Sequence, residues 1–157
     1  MMQNTINDFI EQKNIAIVGV SRDKTKWGNV LKREFEKLGY QVYAINPNAD
    51  DIEGEKCLHS ISDLPADVDS LVISTKTDFN LELVKEAAKK GIKRVWMQRS
   101  TWPGSDGDES INFCKENNIG YVYGMCPMMY FHGKSIHGFH LWLKKVLGRM
   151  PKEMKVA

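Results

Sequence analysis

Residues 15–30 read I-A-I-V-G-V-S-R-D-K-T-K-W-G-N-V, and the fold turns on how that stretch is taken. Ile15 to Val20 is an apolar run broken only by Gly19, the pattern of a strand buried on both faces. A polar segment follows, and then a helical spacing begins near Gly28. Strand, glycine turn and helix in that order form a phosphate-binding shape. Gly19 permits a tight turn, Ser21 offers a hydroxyl, and the helix start offers unpaired N–H groups at the positive end of its dipole. Arg22, Lys24 and Lys26 add positive charge. The stretch is neither G-x-G-x-x-G nor a P-loop. A plain strand–helix turn with surface lysines is the other reading of the same residues.

Outward from that stretch, strand and helix patterns alternate. Leu31, Phe35 and Leu38 carry the first crossover helix, from about Gly28, and Gly39 stops it. Tyr40 to Ile45 reads as a second strand closed by Asn46-Pro47-Asn48. An irregular region holding Gly54 and Cys57 ends in a short helical turn at Ser60 to Leu64. A third strand follows at Asp69 to Thr75. Leu81, Val84 and Ala88 mark a helix ending at Gly91, followed by a strand at Ile92 to Met97, a helix at Glu109 to Asn118 and a strand at Gly120 to Tyr123. A short amphipathic helix with Ile6, Phe9 and Ile10 precedes them, with Thr5 as its N-cap, and a final helix is expected over about 135–148.

Apolar strands alternating with helices predict an α/β fold. The expectation is a single Rossmann-type doubly wound parallel sheet of about five strands, order 3-2-1-4-5, with helices on both faces. At 157 residues the chain is about one domain's worth, and 1–157 is read as one domain. Ligands of such sheets sit beyond the carboxyl ends of the strands, where the strand order reverses. Gly19–Lys26, Asn46–Asn48, Ser74–Asp78, Gln98–Trp102 and Gly124–Met128 all fall at that end.

Composition removes several function classes. A formal charge of +2, from 22 basic and 20 acidic side chains, lacks the basic excess of a nucleic-acid binder. No apolar run is long enough to span a bilayer, and the first dozen residues lack the basic and apolar regions of a signal peptide. Cys57, Cys114 and Cys126 lie far apart with no C-x-x-C pair, which favours reduced thiols and a cytoplasmic setting.

The end of the second strand separates one dinucleotide from another. NAD-binding folds place an acid there for the ribose diol, but here Ala44-Ile45-Asn46-Pro47 has no carboxylate before Asp50 and Asp51. A ligand whose adenosine ribose carries a phosphate fits that absence, as NADP and coenzyme A do.

The stretch at 15–30, V-Y-A-I-N-P-N-A-D-D-I-E-G at 42–54 and G-M-C-P-M at 124–128 together resemble the CoA-binding protein family. Its members are small stand-alone Rossmann domains similar to the CoA-binding domain of succinyl-CoA synthetase α subunits. The resemblance covers roughly Ile10 to Met129. It implies that Gly19, Val20, Ser21 and Arg22 cradle the CoA phosphates with Lys26 as their main cationic partner. It further implies that Asn46 and Pro47 border the adenosine, and that Ser74, Thr75 and Lys76 line the cleft further along. Many members carry a proline between the serine and the basic residue, absent from D-K-T-K here, and the end of the third strand, I-S-T-K-T, is more polar than is usual in the family.

Catalytic machinery is not recognisable. Cys126 in the G-M-C-P loop is read as a small residue completing a turn, since a reactive thiol would need exposure and a depressed pKa. His132, His137 and His140 are read as surface histidines rather than a metal set, and Trp102 as a lid over the pocket. The chain is therefore expected to bind CoA or an acyl-CoA through its ADP moiety, as a non-catalytic carrier, sensor or accessory protein. Its partner would be a small-molecule nucleotide, with no nucleic acid or membrane, and a homo-oligomer or protein partner stays open. The alternatives are an NADP- or NAD-binding redox or sensor domain, and a partner-binding module whose nucleotide site has decayed.

Overall fold

The computed structural model describes residues 2–75, 80–98 and 106–131. The final helix expected over 135–148, together with Lys76, Trp102, His132, His137 and His140, lies outside the described residues.

The chain runs α1 (Met2–Ile10), β1 (Asn14–Val18), α2 (Trp27–Lys37) and β2 (Gln41–Ile45), then a small hairpin of β3 (Asp51–Ile52) and β4 (Glu55–Lys56). A 3-10 turn at Ile61–Asp63 leads to β5 (Ser70–Ile73), α3 (Asn80–Lys90), β6 (Arg94–Met97), α4 (Asp106–Glu116), β7 (Gly120–Tyr123) and α5 (Met128–Phe131). β1, β2, β5, β6 and β7 form one parallel sheet. The apolar runs of the sequence thus become strands covered on both faces, and alternate residues divide between two cores. Ile15, Ile17, Val72, Trp96 and Val122 pack with Ile6 and Phe9 of α1, Leu31 and Phe35 of α2, and Met128 and Met129 of α5. Ala16, Val18, Leu71, Ile73, Val95 and Met97 pack on the other face with Val84 and Ala87 of α3 and Ile111 and Cys114 of α4.

The strand order corrects the expectation. It is β2-β1-β5-β6-β7, so the third long strand pairs with β1 and not with β2, as Ala16↔Leu71 and Ile17↔Val72 show. In order of the five long strands this is 2-1-3-4-5 rather than 3-2-1-4-5. Two physical reasons account for it. The outer edge of β2 is already taken: Leu58 bridges Ile45, its N–H donates to the Ala44 carbonyl at 2.9 Å, and its carbonyl accepts the Asn46 N–H at 2.9 Å. Meanwhile Ser70–Ile73 is buried at every position, which suits a central strand rather than an edge.

Thr5 is a second correction. It lies inside α1 rather than capping it, and a Cβ built on Gly120 would stand 3.2 Å from the Thr5 methyl. The helix starts earlier than its apolar spacing suggested and packs closely against β7. Gly39, at φ +86°, ends α2 as expected.

Candidate functional site

The carboxyl end of β1 and the start of α2 meet almost without side chains between them. Gly19 has φ +107°, and a Cβ there would stand 2.4 Å from the Ser74 carbonyl oxygen just after β5. A Cβ on Gly28, in the first turn of α2, would stand 2.2 Å from the Gly19 carbonyl oxygen. Glycine is needed at 19 both for its backbone angle and for this approach. The reversal point of the strand order lies between β1 and β5, where the chain leaves in opposite directions, and Gly19 touches Ser74 across it.

Two asparagines fix the loop that follows. Asn29 is fully buried; its Nδ2 donates to the Ser21 carbonyl at 2.8 Å and its Oδ1 accepts the Ser21 N–H at 2.8 Å. Asn46 donates from Nδ2 to the Val20 carbonyl at 2.8 Å and accepts the Asn48 N–H on Oδ1 at 2.8 Å. The Asn46 amide therefore ties the end of β2 to the β1 loop, with Pro47 exposed beside it. Ser21 Oγ accepts the Asp23 N–H at 3.2 Å, and Asp23 Oδ1 accepts both the N–H and the hydroxyl of Thr25, at 3.0 and 2.6 Å. Those Thr25 contacts, side chain first, hold the Asp23 carboxyl below the ordinary carboxylate range.

This bonding changes what the loop can offer a phosphate. The N–H groups of Ser21, Asp23, Thr25 and Lys26 are all donated within the protein. The cationic side chains beside them are Arg22, Lys24 and Lys26, groups suited to an anion. Arg22 donates from Nη2 to the Asn48 carbonyl and so leans toward the end of β2. Lys26 occupies the residue before α2, is 63% exposed, and lies 3.9 Å from Asp23 Oδ2. Lys24, which the sequence left as one surface cation among three, lines a cavity of about 520 Å³ with Arg22, Asp50, Asp51, Glu53 and Gly54.

Of the sequence-derived site residues, Gly19 meets Ser74, Val20 meets Asn46, Arg22 is joined to Asn46 through Asn48, and Ser21 is held by Asn29. Thr75 follows Ser74, half-buried. Sequence reasoning missed Asn29 and the β3–β4 hairpin. The signal for Asn29 is an amide, a poor helix former, in the first turn of a helix directly after a glycine.

At the far end of the cleft the G-M-C-P loop is pinned by Trp96, whose Nε1–H donates to the Met125 carbonyl at 2.7 Å. Cys126 is half-buried there. Burial pushes the Cys57 thiol up and the Cys114 thiol up to about 12, so neither is a thiolate at neutral pH. Among the described residues no group of three or more His, Cys, Asp or Glu side chains is placed to hold a metal ion. Among them, too, no helix is long and apolar enough to cross a membrane.

ADP-forming acetate–CoA ligase II of Archaeoglobus fulgidus is 36% identical over 90 residues, 56% of this chain and 13% of that protein. The α subunit of ADP-forming acetate–CoA ligase II of Pyrococcus furiosus is 31% identical over 119 residues, 74% of this chain and 26% of the subunit. The chain thus spans about a quarter or less of these curated relatives. A solved structure of a conserved hypothetical protein from Pyrococcus furiosus superposes with a TM-score of 0.68 at 35% identity, over 76% of this chain and 99% of that one. Residues 13–132 match the CoA binding domain family, a span that holds all five strands of the sheet and the Gly19–Lys26 loop, and the chain belongs to that family.

Proposed function

We propose that the chain binds coenzyme A or an acyl-CoA through its ADP moiety, as a non-catalytic carrier, sensor or accessory protein. Ser21, Arg22 and Lys26 meet the pyrophosphate, with Gly19 and Val20 forming the rim. The adenosine lies toward Asn46 and Pro47, and the pantetheine arm runs past Ser74, Thr75 and Lys76 toward the G-M-C-P loop. One observation carries the reading: three cations within five residues sit on a rigidly bonded loop at the reversal point of the sheet. Family membership and the acetate–CoA ligase relatives support CoA as the nucleotide. The non-catalytic role draws support from the two buried thiols with raised pKa values.

Thermal denaturation with added ligand tests it. A ligand that binds only the folded state at 100 times its Kd adds about 2.7 kcal/mol, or roughly 5–10 °C for a chain of this size. CoA should produce such a shift and NAD should not; a shift with NAD or NADP and none with CoA rejects the reading. Lys26→Ala should lower CoA affinity about tenfold, the worth of one charge-assisted contact at an exposed position. Dephospho-CoA should lose affinity by the same factor, because both ligands keep the pyrophosphate.

A further inference from the structure

We infer that Arg33 is a positioning residue that fastens the β1–α2 loop to the β3–β4 hairpin and so builds the pocket that reads a phosphorylated ribose. The inference rests on the CoA reading above and gives that ligand's ribose its own subsite. Arg33 leaves α2 about two turns beyond the loop. Its Nη1 donates to Glu53 Oε1 at 2.5 Å, and Nη1 and Nη2 both approach the Lys24 carbonyl, at 3.4 and 3.3 Å. One planar guanidinium therefore grips both walls of the 520 Å³ cavity. A lysine, with a single ammonium on a flexible stem, does not present that fork.

The two walls differ in charge. On the loop side, Arg22 is bonded to a neutral carbonyl, and among the described residues neither Arg22 nor Lys24 takes part in an ion pair. On the hairpin side each carboxylate already has a partner. Glu53 is paired with Arg33, Asp50 Oδ1 lies 2.8 Å from His59 Nε2, and Asp51 Oδ1 accepts the Gly54 N–H at 3.1 Å. The loop wall thus holds two cations outside any ion pair of the described residues, and the hairpin wall holds Asp51, bonded only to a neutral N–H, and Asp50, bonded to an imidazole. A ribose with a phosphate on one carbon and a free hydroxyl on the next matches that pair of walls. The phosphate goes to Lys24, with Arg22 standing between it and the pyrophosphate, and the hydroxyl donates to Asp50 or Asp51. A diol ribose uses only the acidic wall. The volume falls within the range of small-molecule sites, about 300–1,000 Å³.

Calorimetric titration of the whole chain with CoA, dephospho-CoA and 4′-phosphopantetheine tests the inference, since the second lacks the ribose phosphate and the third lacks adenosine. The wild-type chain should bind CoA about tenfold more tightly than dephospho-CoA, the value of one charge-assisted contact. Arg33→Gln should shrink that ratio to within about twofold and leave phosphopantetheine affinity unchanged. Arg33→Lys should behave like Arg33→Gln, because it keeps the charge and loses the fork. Glu53→Gln breaks the same link from the other side and serves if Arg33→Gln folds poorly; the double variant should be no worse than either single one. Rescue by Arg33→Lys, an unchanged ratio in Arg33→Gln, or an equal loss for phosphopantetheine overturns the inference. Equal wild-type affinity for CoA and dephospho-CoA overturns it while leaving the CoA reading intact, whereas no wild-type affinity for CoA removes both.

Discussion

Gly28 has a neighbouring carbonyl where a side chain would go. A Cβ there would stand 2.2 Å from the Gly19 oxygen, 2.5 Å from the Gly19 carbonyl carbon and 2.9 Å from the Val20 nitrogen. All three are backbone atoms of a turn fixed by Asn46 at Val20 and by Asn29 at Ser21, so they cannot swing aside as a flexible side chain would. Glycine in a helix interior costs up to about 1 kcal/mol relative to alanine, which on its own would make Gly28→Ala stabilising. Overpacking against fixed backbone costs about 1–3 kcal/mol and wins. Gly28→Ala should therefore lower the stability read from urea unfolding by the difference, up to about 2 kcal/mol, and weaken CoA binding, as α2 is pushed off the loop. Gly39→Ala is the control: no atom lies within 4 Å of a Cβ there, and only the φ of +86° is unfavourable, worth about 1 kcal/mol. A Gly28→Ala chain as stable as the wild type would refute the backbone stacking. In the sequence Gly28 reads only as the small residue that opens a helix, because local periodicity says nothing of what a distant strand end places against it.

The β3–β4 hairpin is the element that the sequence concealed. Asp51 to Lys56 gives two strands of two residues, too short for any alternation to be visible. Its place is set instead by charges on α2. Lys32 has a side chain only 3% exposed, and its Nζ lies 2.5 Å from Glu36 Oε1 and 2.7 Å from Glu55 Oε2. Burial works against the ammonium, but the two carboxylates outweigh it and hold the Lys32 pKa above its ordinary value. That contribution to stability is present below pH 10.5 and is lost as pH rises through the raised value. The pair has an asymmetric weakness. Lys32→Met fills the same space and leaves carboxylates that can turn to water, so it should change stability by no more than about 1.5 kcal/mol while amide exchange in the hairpin quickens. Glu36→Gln with Glu55→Gln strands a buried cation and should cost about 3–5 kcal/mol. Equal losses in the two variants would mean that the charge is not buried in solution. A lysine at position 32 reads in sequence as solvated helix surface, and only the hairpin folded over it makes it an anchor.

The whole molecule divides its work between the two ends of the sheet. Five parallel strands were legible because each long strand is an apolar run, and the site's place was legible because parallel strands all end on one side. The order was not, because what decides it is the bridge from Leu58 to Ile45, a single residue closing the edge of β2. The carboxyl end carries Gly19, Ser74 and the loops of the site. The amino end carries an ion network in which Arg94 donates from Nη1 to Asp69 Oδ1 at 2.8 Å and from Nε to Asp8 Oδ2 of α1 at 2.5 Å. Lys93 lies 3.5 Å from Asp69 Oδ2. Burial alone would raise the Asp69 pKa, but the hydrogen bond and charge of Arg94 outweigh it and hold the carboxyl below its ordinary 3.8. The sign follows from linkage: the folded state binds the proton less readily than the unfolded one. Asp69 therefore adds stability above pH 3.8, and the addition fades as pH falls through the lowered value. Asp69→Asn should cost about 1–3 kcal/mol near neutral pH, the worth of a charge-assisted hydrogen bond in a partly buried setting. The gap between variant and wild type should then narrow in urea titrations as pH falls below 3.8 and through the lowered value, where the wild-type carboxyl takes up its proton. A gap that stays constant across that range would show that Asp69 acts through packing rather than charge. CoA affinity at neutral pH should stay within about twofold of wild type, because the network sits at the opposite end of the strands from the phosphate loop and the two sites share no partner.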